Sequence, residues 1–245
     1  MRSQKVSAEV PHLMKEIEAL IGDIKNPSLR EKVHKLFMDP TVLLKSDQLP
    51  LDECPGGSYV HHSYEGGLLQ HTVSVTRLAT LLCDLIEQVY QGSVDRDVVL
   101  AGAILHDVMK CHTYTTAGKR FMTSPLGERI DHLTLLTAEM YKQQFPLDVI
   151  HVVVAHHGDT GPLSPRTLEA LVVYMADYSD AELSRRVLRA AESLVKRAGY
   201  DLKEGLSSQQ AIAVLKAKQD DGWAGLRKVL FGETYRETKL TDSAK

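Results

Sequence analysis

The sequence predicts an all-α fold, a helical bundle, and three observations support that class. Nearly every apolar pattern has the three- and four-residue spacing of a helix, and no strong alternating run indicates a strand. Aromatic residues make up only 6% of the chain, and runs of β-branched residues are short. With 43% hydrophobic and 25% charged residues, the 245-residue chain can build one large core of the ordinary globular kind.

Local start and stop signals predict the helix boundaries. Asn26-Pro27-Ser28 ends the first helix, and Ser28 is expected to cap the second. Prolines and glycines predict a loop over 49–57, Asp95 can cap a helix, and Pro146 stops one. The expected helices are Pro11–Ile24, Ser28–Phe37, Leu68–Tyr90, Arg96–Lys110, Arg129–Gln144, Leu147–His156, Thr167–Gly199 (as one helix or two), Ser208–Lys218 and Trp223–Phe231.

We expect two parts along the chain. Residues 1–190 form the main domain, including the N-terminal helices, and 191–245 form a C-terminal helical extension packed on it. Trp223 is expected to pack this extension on the bundle or on another subunit, which leaves a homo-oligomer open. The basic segment 185–197 predicts a solvated helix face with Glu182 as a partner, or alternatively a stripe that binds nucleic acid.

The composition excludes several classes of protein. The three cysteines, Cys54, Cys83 and Cys111, are scattered, which argues against a thiolate zinc site and a disulfide framework. The net charge of -3 predicts no overall attraction to nucleic acid or to an anionic membrane. The N-terminus lacks a signal-peptide core, and no apolar run approaches the roughly 20 residues that span a bilayer. We therefore expect a cytoplasmic protein with no membrane partner.

Polar residues recur on faces that should be buried. His71 shares its helix face with Val75, Leu78 and Leu82, and Asp177 lies on the inward face of a later helix. A single histidine on such a face is more often a hydrogen-bonded core residue than a ligand. A buried carboxylate is different, because it is normally paired or metal-bound. The same placement holds for a larger set, namely His71, His106, Asp107, His132, His156, His157 and Asp177.

This set predicts a metal site in the core. Helical bundles build such sites from inward side chains on facing helices. Imidazole and carboxylate without thiolate suit divalent iron, manganese, cobalt, nickel or zinc and do not single one out. A cation would also neutralise the buried aspartates.

The same residues resemble the H…HD…D signature of the HD phosphohydrolase superfamily. The segments "HHSYEGGLLQHTVSVTRLA", "LAGAILHDVMK", "VAHHGD" and "SPRTLEALVVYMADYSDAEL" are similar to the HD portion of YhaM-type 3'-5' exoribonucleases. The resemblance runs from about Ile24 to Leu188, with the motifs in the family's order. It implies an all-α HD-domain bundle with a metal site in its core and extra C-terminal helices.

The resemblance also implies roles for individual residues. His71, His106, Asp107 and Asp177 would hold one metal ion, and Asp107 would bridge to a second. The second ion would be held by His132, His156 and His157. Lys110 matches the family's lysine after the HD doublet and would contact a substrate phosphate oxygen.

Two departures from the family pattern stand out. Met109 occupies a position where the family usually has glycine, and its bulk is expected to alter the pocket or the direction of Lys110. YhaM-type nucleases carry an N-terminal OB-fold that grips single strands, and too few residues precede Ile24 to form that domain. An exonuclease role is therefore less favoured than hydrolysis itself.

The expected chemistry is hydrolysis by a metal-activated water, with Asp107 and Lys110 as catalytic residues. The substrate would be a phosphodiester or phosphomonoester, in a small molecule or a short single-stranded nucleic acid. His62 is expected to bind substrate, and His61, His62 or His112 could protonate the leaving oxygen. The alternative is that these three histidines have no catalytic role and lie in loops or on the surface, and we favour this alternative for His112. The alternative functions are a silent nucleotide sensor and, less favoured, a diiron oxygenase.

Overall fold

The computed structural model of the chain describes residues 10–57, 61–118, 120–200, 202 and 205–231. Helices dominate this part of the chain, which confirms the predicted all-α class. The helices are α1 (Val10–Gly22), α2 (Pro27–Met38), α3 (Gly67–Gln88), α4 (Arg96–Leu105), α5 (Lys110–Thr113), α6 (His132–Lys142), α7 (Leu147–Ala155), α8 (Leu168–Arg197) and α9 (Ser208–Phe231). The strands are β1 (Tyr114–Ala117) and β2 (Arg120–Thr123).

The cap of α2 differs from the prediction. Asn26, and not Ser28, is the N-cap residue, and its side chain accepts a hydrogen bond from the Leu29 amide at 3.1 Å. Pro27 takes the first helical position, where its missing N–H costs nothing, and this places Ser28 inside the first turn.

α4 begins as predicted but ends earlier. The Asp95 side chain caps it by accepting from the amides of Asp97 and Val98, at 3.0 and 3.2 Å. After Leu105 the chain tightens into a turn, in which the Lys110 amide donates to the Asp107 carbonyl at 2.9 Å. The side chains of His106 and Asp107 meet at this turn, where His106 Nε2 lies 3.3 Å from Asp107 Oδ2.

The β1–β2 hairpin was not predicted. Its strands pair antiparallel from Tyr114 opposite Thr123 to Ala117 opposite Arg120, and Gly118 starts the connection with a φ of 64°. The signal was a glycine between two short segments rich in threonine and aromatic residues. The strands are only four residues long and mostly exposed, so they lack the alternating buried face that marks a longer strand.

The main hydrophobic core surrounds α4. Every residue of α4 from Val98 to Leu105 is buried, as expected for a helix with neighbours on all sides. α3 and α7 pack against it, and the apolar faces of α1 and α2 complete the same core. The end of α4 therefore lies deep in the bundle, which puts the HD doublet there too.

The described chain divides into two compact units, with the boundary between Arg185 and Arg186. The first unit contains the core around α4, and the salt bridge of Arg185 with Glu182 lies within it. The second has its own small core, in which the cations of Arg197 and Lys218 lie 5.3 and 4.9 Å from the centre of the Trp223 ring. The predicted boundary at residue 190 and the packing of the extension on the bundle stay predictions.

The two helices predicted for the tail correspond to α9, which is broken at Gly222. The backbone of Gly222 has φ 64° and ψ -147°, which interrupts the helix just before Trp223. In the described part of the chain, no helix combines the length and the apolar character needed to cross a membrane. The three cysteines are buried, free thiols.

Candidate metal centre

The seven candidate ligands come from separate places in the chain and meet around Asp107. His71 lies on α3, and the HD doublet follows the end of α4. The remaining four are His132 at the start of α6, His156 and His157 after the end of α7, and Asp177 on α8. The side chains of His71 and His106 have no solvent exposure, and that of Asp107 has 2%.

One oxygen of Asp107 faces a first cluster, formed with His71, His106 and Asp177. Asp107 Oδ2 lies 3.3 Å from Nε2 of both histidines. Asp177 Oδ1 lies 3.0 Å from His71 Nε2 and 3.9 Å from His106 Nε2. The first cluster therefore gathers two carboxylate oxygens and two imidazole nitrogens around one point.

The other oxygen of Asp107 faces a second cluster, formed with His132, His156 and His157. Asp107 Oδ1 lies 3.2 Å from His132 Nε2 and 3.7 Å from His156 Nε2. The His157 ring packs 4.0 Å from the ring centre of His156, and the three histidines can place ligand nitrogens within 4.8 Å of one another. Asp107 thus lies between the clusters and presents one oxygen to each.

Backbone carbonyls fix the orientation of two of the rings. His106 Nδ1 donates to the Ala103 carbonyl at 2.8 Å, and His156 Nδ1 donates to the Val153 carbonyl at 2.6 Å. A carbonyl only accepts, so Nδ1 carries the proton in both neutral rings and Nε2 keeps its lone pair. Both lone pairs are directed at the clusters, as metal ligation requires.

The clusters contain polar atoms that the described residues leave unsatisfied. Asp107 Oδ1, His132 Nε2 and His156 Nε2 are buried without a hydrogen-bond partner there. Each such atom costs roughly 1–3 kcal/mol, and more when it is charged. The Nε2 atoms of His71 and His106 also lie only 3.2 Å apart. A cation in each cluster removes these costs, so the residues present fit a divalent metal.

The protonation equilibria fit the same interpretation. Burial raises the pKa of Asp107, but the Lys110 charge and His106 outweigh it and hold that pKa well below its ordinary value. Burial lowers the pKa of His156 well below its ordinary value, with His106 and His157 acting in the same direction. Burial also lowers the pKa of His71. Hydrogen bonds with Asp107, Asp177 and Asp180 outweigh the effect of burial, and the pKa of His71 is raised well above its ordinary value. The site thus contains an anionic centre that attracts positive charge.

The chain is similar to known proteins over the residues that form this centre. A family model described as "HD domain" matches residues 68–182, a range that contains all seven candidate ligands. The dihydroneopterin 2',3'-cyclic phosphate phosphodiesterase of Methanocaldococcus jannaschii is 34% identical over 212 residues, covering 85% of both chains. This chain belongs to the HD-domain family. The predicted resemblance is confirmed.

This HD protein is also similar to exoribonucleases. The 3'-5' exoribonuclease YhaM of Bacillus subtilis is 26% identical over 73% of this chain and 57% of its own length. The YhaM of Listeria monocytogenes is 31% identical over 69% of this chain and 53% of its own length. The chain therefore spans about half the length of these YhaM relatives. No solved structure matches the chain. The names of these relatives are those of hydrolases, and this HD protein is a phosphohydrolase.

Lys110 of the HD protein is buried beside the clusters. Its Nζ donates to Asp107 Oδ2 and to the Gly56 carbonyl, the latter at 2.6 Å. Burial lowers the pKa of Lys110, but the Asp107 carboxylate outweighs burial and raises the pKa above its ordinary value. The group is therefore a cation, and its two hydrogen bonds use two of the three ammonium donors.

The three other candidate histidines lie in different surroundings. His112 is buried, with Nε2 donating to the Pro40 carbonyl at 2.5 Å and Nδ1 bonded to the Ser46 hydroxyl at 2.7 Å. The expectation of a surface position for His112 is wrong, because the ring ties the segment around Pro40 to α5. His61 is half-buried, and its ring centre lies 5.4 Å from that of His71.

His62 is buried, and both of its ring nitrogens are engaged. Nδ1 is bonded to the Tyr64 hydroxyl at 2.8 Å, and Nε2 to Asp180 Oδ2 at 2.8 Å. This placement does not favour the predicted contact with substrate. Sequence reasoning missed Asp180 as a residue of the site. The available signal was its position three residues after Asp177, which puts both carboxylates on one face of α8.

Proposed function

We propose that this HD protein is a two-metal phosphodiesterase that hydrolyses a small phosphodiester, with a 2',3'-cyclic phosphate as the preferred class. The observation that carries the two-metal proposal is the position of Asp107, whose two oxygens face two separate histidine clusters at 3.2–3.7 Å. A carboxylate placed in this way suits a bridge between two cations.

The first cluster would hold one cation through His71, His106, Asp107 Oδ2 and Asp177. The second would hold another through Asp107 Oδ1, His132, His156 and His157. Iron, manganese, cobalt, nickel and zinc all suit this ligand set. When bound, the cations would lower the pKa of a coordinated water and neutralise charge on the phosphoryl oxygens.

The protein's own residues would orient the substrate. Lys110 supplies a fixed positive charge in a site from which water is largely excluded, where such a charge acts strongly. Its third ammonium donor is the group we assign to a phosphate oxygen. His61 is the best placed of the three histidines to contact the leaving group, because it is only half-buried and lies against His71.

Two observations favour a small substrate. The similarity to the dihydroneopterin 2',3'-cyclic phosphate phosphodiesterase covers 85% of both chains, whereas the similarity to the YhaM relatives covers about half of theirs. The net charge of -3 provides no general attraction for a long polyanion. We therefore place short single-stranded RNA second among the substrates.

A substrate panel with an Asp107→Ala variant tests the proposal. Metal-loaded protein is expected to hydrolyse 2',3'-cyclic nucleotides and bis-p-nitrophenyl phosphate faster than p-nitrophenyl phosphate or short RNA. Elemental analysis should find two cations per chain. Asp107→Ala should lose both metal and turnover, while Asp148→Ala, an exposed aspartate on α7, should keep them.

Three outcomes would contradict the proposal. If Asp107→Ala kept phosphodiesterase activity and two stoichiometric metals, Asp107 would not be the carboxylate that the two cations share. Tight nucleotide binding without turnover, with every divalent metal tried, would favour a sensor. Iron-dependent oxygen consumption would favour an oxygenase.

A further inference from the structure

A second buried carboxylate, Asp180, lies directly behind the first cluster. Its side chain is 5% exposed, and it accepts three hydrogen bonds from side chains. Oδ2 accepts from His71 Nδ1 at 2.7 Å and from His62 Nε2 at 2.8 Å. Oδ1 accepts from the Ser74 hydroxyl. Asp180 therefore contacts the back of a candidate metal ligand while remaining outside the two clusters.

His62 supports Asp180 from the other side. Its Nδ1 is bonded to the Tyr64 hydroxyl, which in turn contacts the Gln70 side chain, one residue before His71. The His62 amide also donates to the Ser184 hydroxyl on α8, at 3.4 Å. The network joins α3, α8 and the segment before α3 that contains His62 and Tyr64, so the position of Asp180 is defined by more than one bond.

We propose that Asp180 is a positioning residue for His71, held in place by His62. The inference rests on the proposed metal site and explains how one of its ligands is oriented. Because a carboxylate only accepts, its bond to His71 keeps the proton on Nδ1. The lone pair of Nε2 then faces Asp107 Oδ2 and Asp177 Oδ1, where a cation would bind. A carboxylate behind a histidine ligand also makes the ligand more basic.

A third cation is the rival interpretation, since His62, His71 and Asp180 also have a spacing that could hold a metal. Two features oppose it. The distances of 2.7 and 2.8 Å to one oxygen are those of N–H···O bonds. In addition, His71 would have to lose both of its ring protons to bind a cation on each side. The hydrogen-bonded network requires no such loss.

Cobalt affinity in Asp180 variants tests the positioning role separately from hydrolysis. Asp180→Ala should weaken Co²⁺ binding at the first cluster about 10–100-fold, as other losses of such a support do. Asp180→Asn keeps an acceptor oxygen for His71 and should restore most of that affinity. Asp97→Ala is the matched control, because Asp97 accepts two backbone amides, at 2.8 and 2.7 Å, away from the clusters. It should lower stability and leave Co²⁺ affinity unchanged.

A measurement on the unaltered protein needs no variant to fold. With ¹⁵N-labelled histidine and bound Zn²⁺, the His71 ring should show a protonated Nδ1 and a metal-bound Nε2. A proton on Nε2, metal on both nitrogens, or wild-type Co²⁺ affinity in Asp180→Ala would overturn the inference. A third stoichiometric metal that is lost in His62→Ala would do the same. Wild-type protein that binds metal without turnover would contradict the proposed function instead and leave the role of Asp180 standing.

Discussion

Met109 stands between Asp107 and Lys110 in the sequence, yet its side chain lies in the main hydrophobic core. Met109 is fully buried there and is one of the largest side chains in the core. Lys110 nevertheless turns towards Asp107 and Gly56. The expected effect of Met109 on the pocket therefore becomes an effect on packing, because the turn after α4 directs neighbouring side chains to different surroundings.

Met109→Ala should cost about 2–5 kcal/mol of unfolding free energy, since it leaves a cavity in a packed core. Urea unfolding measures this loss, and Met175→Ala is the matched control because that side chain is 43% exposed. The control should change stability by less than about 0.5 kcal/mol. Equal effects of the two substitutions would contradict the assignment of Met109 to the core.

At the scale of elements, the approach of α4 to α7 brings the HD doublet close to His156 and His157. Gly102 makes this approach possible, because a Cβ at that position would lie 2.2 Å from Cγ1 of Val152 on α7. Glycine in a helix interior costs about 0.5–1 kcal/mol relative to alanine. This cost falls where α4 and α7 meet, and the ends of these two helices lead into four of the candidate ligands, His106, Asp107, His156 and His157.

Gly102→Ala should destabilise the protein even though alanine favours the helix. Overpacking costs about 1–3 kcal/mol, against a gain of about 1 kcal/mol from helix propensity. Gly22→Ala, at the open end of α1 where no atom lies within 4 Å of the new Cβ, should be neutral or stabilising. Thermal unfolding compares the two variants, and a rise in Tm for Gly102→Ala would show that the contact with Val152 is unimportant.

At the scale of the whole molecule, the candidate metal centre ties distant parts of the first unit together. Its ligands come from α3, α6 and α8 and from the turns that end α4 and α7. Without a cation, the described residues leave unsatisfied polar atoms at its centre. Metal binding is therefore expected to be part of the folding free energy of this unit.

Removal of metal should lower the melting temperature. A cation present at a thousand times its Kd adds about 4 kcal/mol of stability, and each kcal/mol moves the Tm of a chain of this size by about 2–4 °C. Differential scanning calorimetry with chelator, and after addition of Mn²⁺, Co²⁺ or Zn²⁺, measures the shift. Asp107→Ala should show no response to added metal. An unchanged Tm in the wild-type protein would mean that the clusters bind no ion.

The all-α class, most helix positions and the candidate ligands could be predicted from the amino-acid sequence. Helical spacing marks the face on which His71 and Asp177 lie, and local signals such as the cap by Asp95 mark where helices begin. The HD family could be recognised for the same reason, since its motifs consist of short local segments. The short, exposed β1–β2 hairpin was not predicted, because its four-residue strands show little hydrophobic periodicity.

The partner of each polar group, in contrast, depends on the packing of the helices in three dimensions. Asp180 and His71 are 109 positions apart in sequence, and His62 and Asp180 are 118 apart. His112 likewise forms a hydrogen bond with Ser46, which is 66 positions away in sequence. Periodicity predicts that a side chain faces inward but not which group it meets, because that depends on how separate helices pack. Helix packing therefore explains why the two oxygens of Asp107 face different histidine clusters and why Asp180 contacts His71.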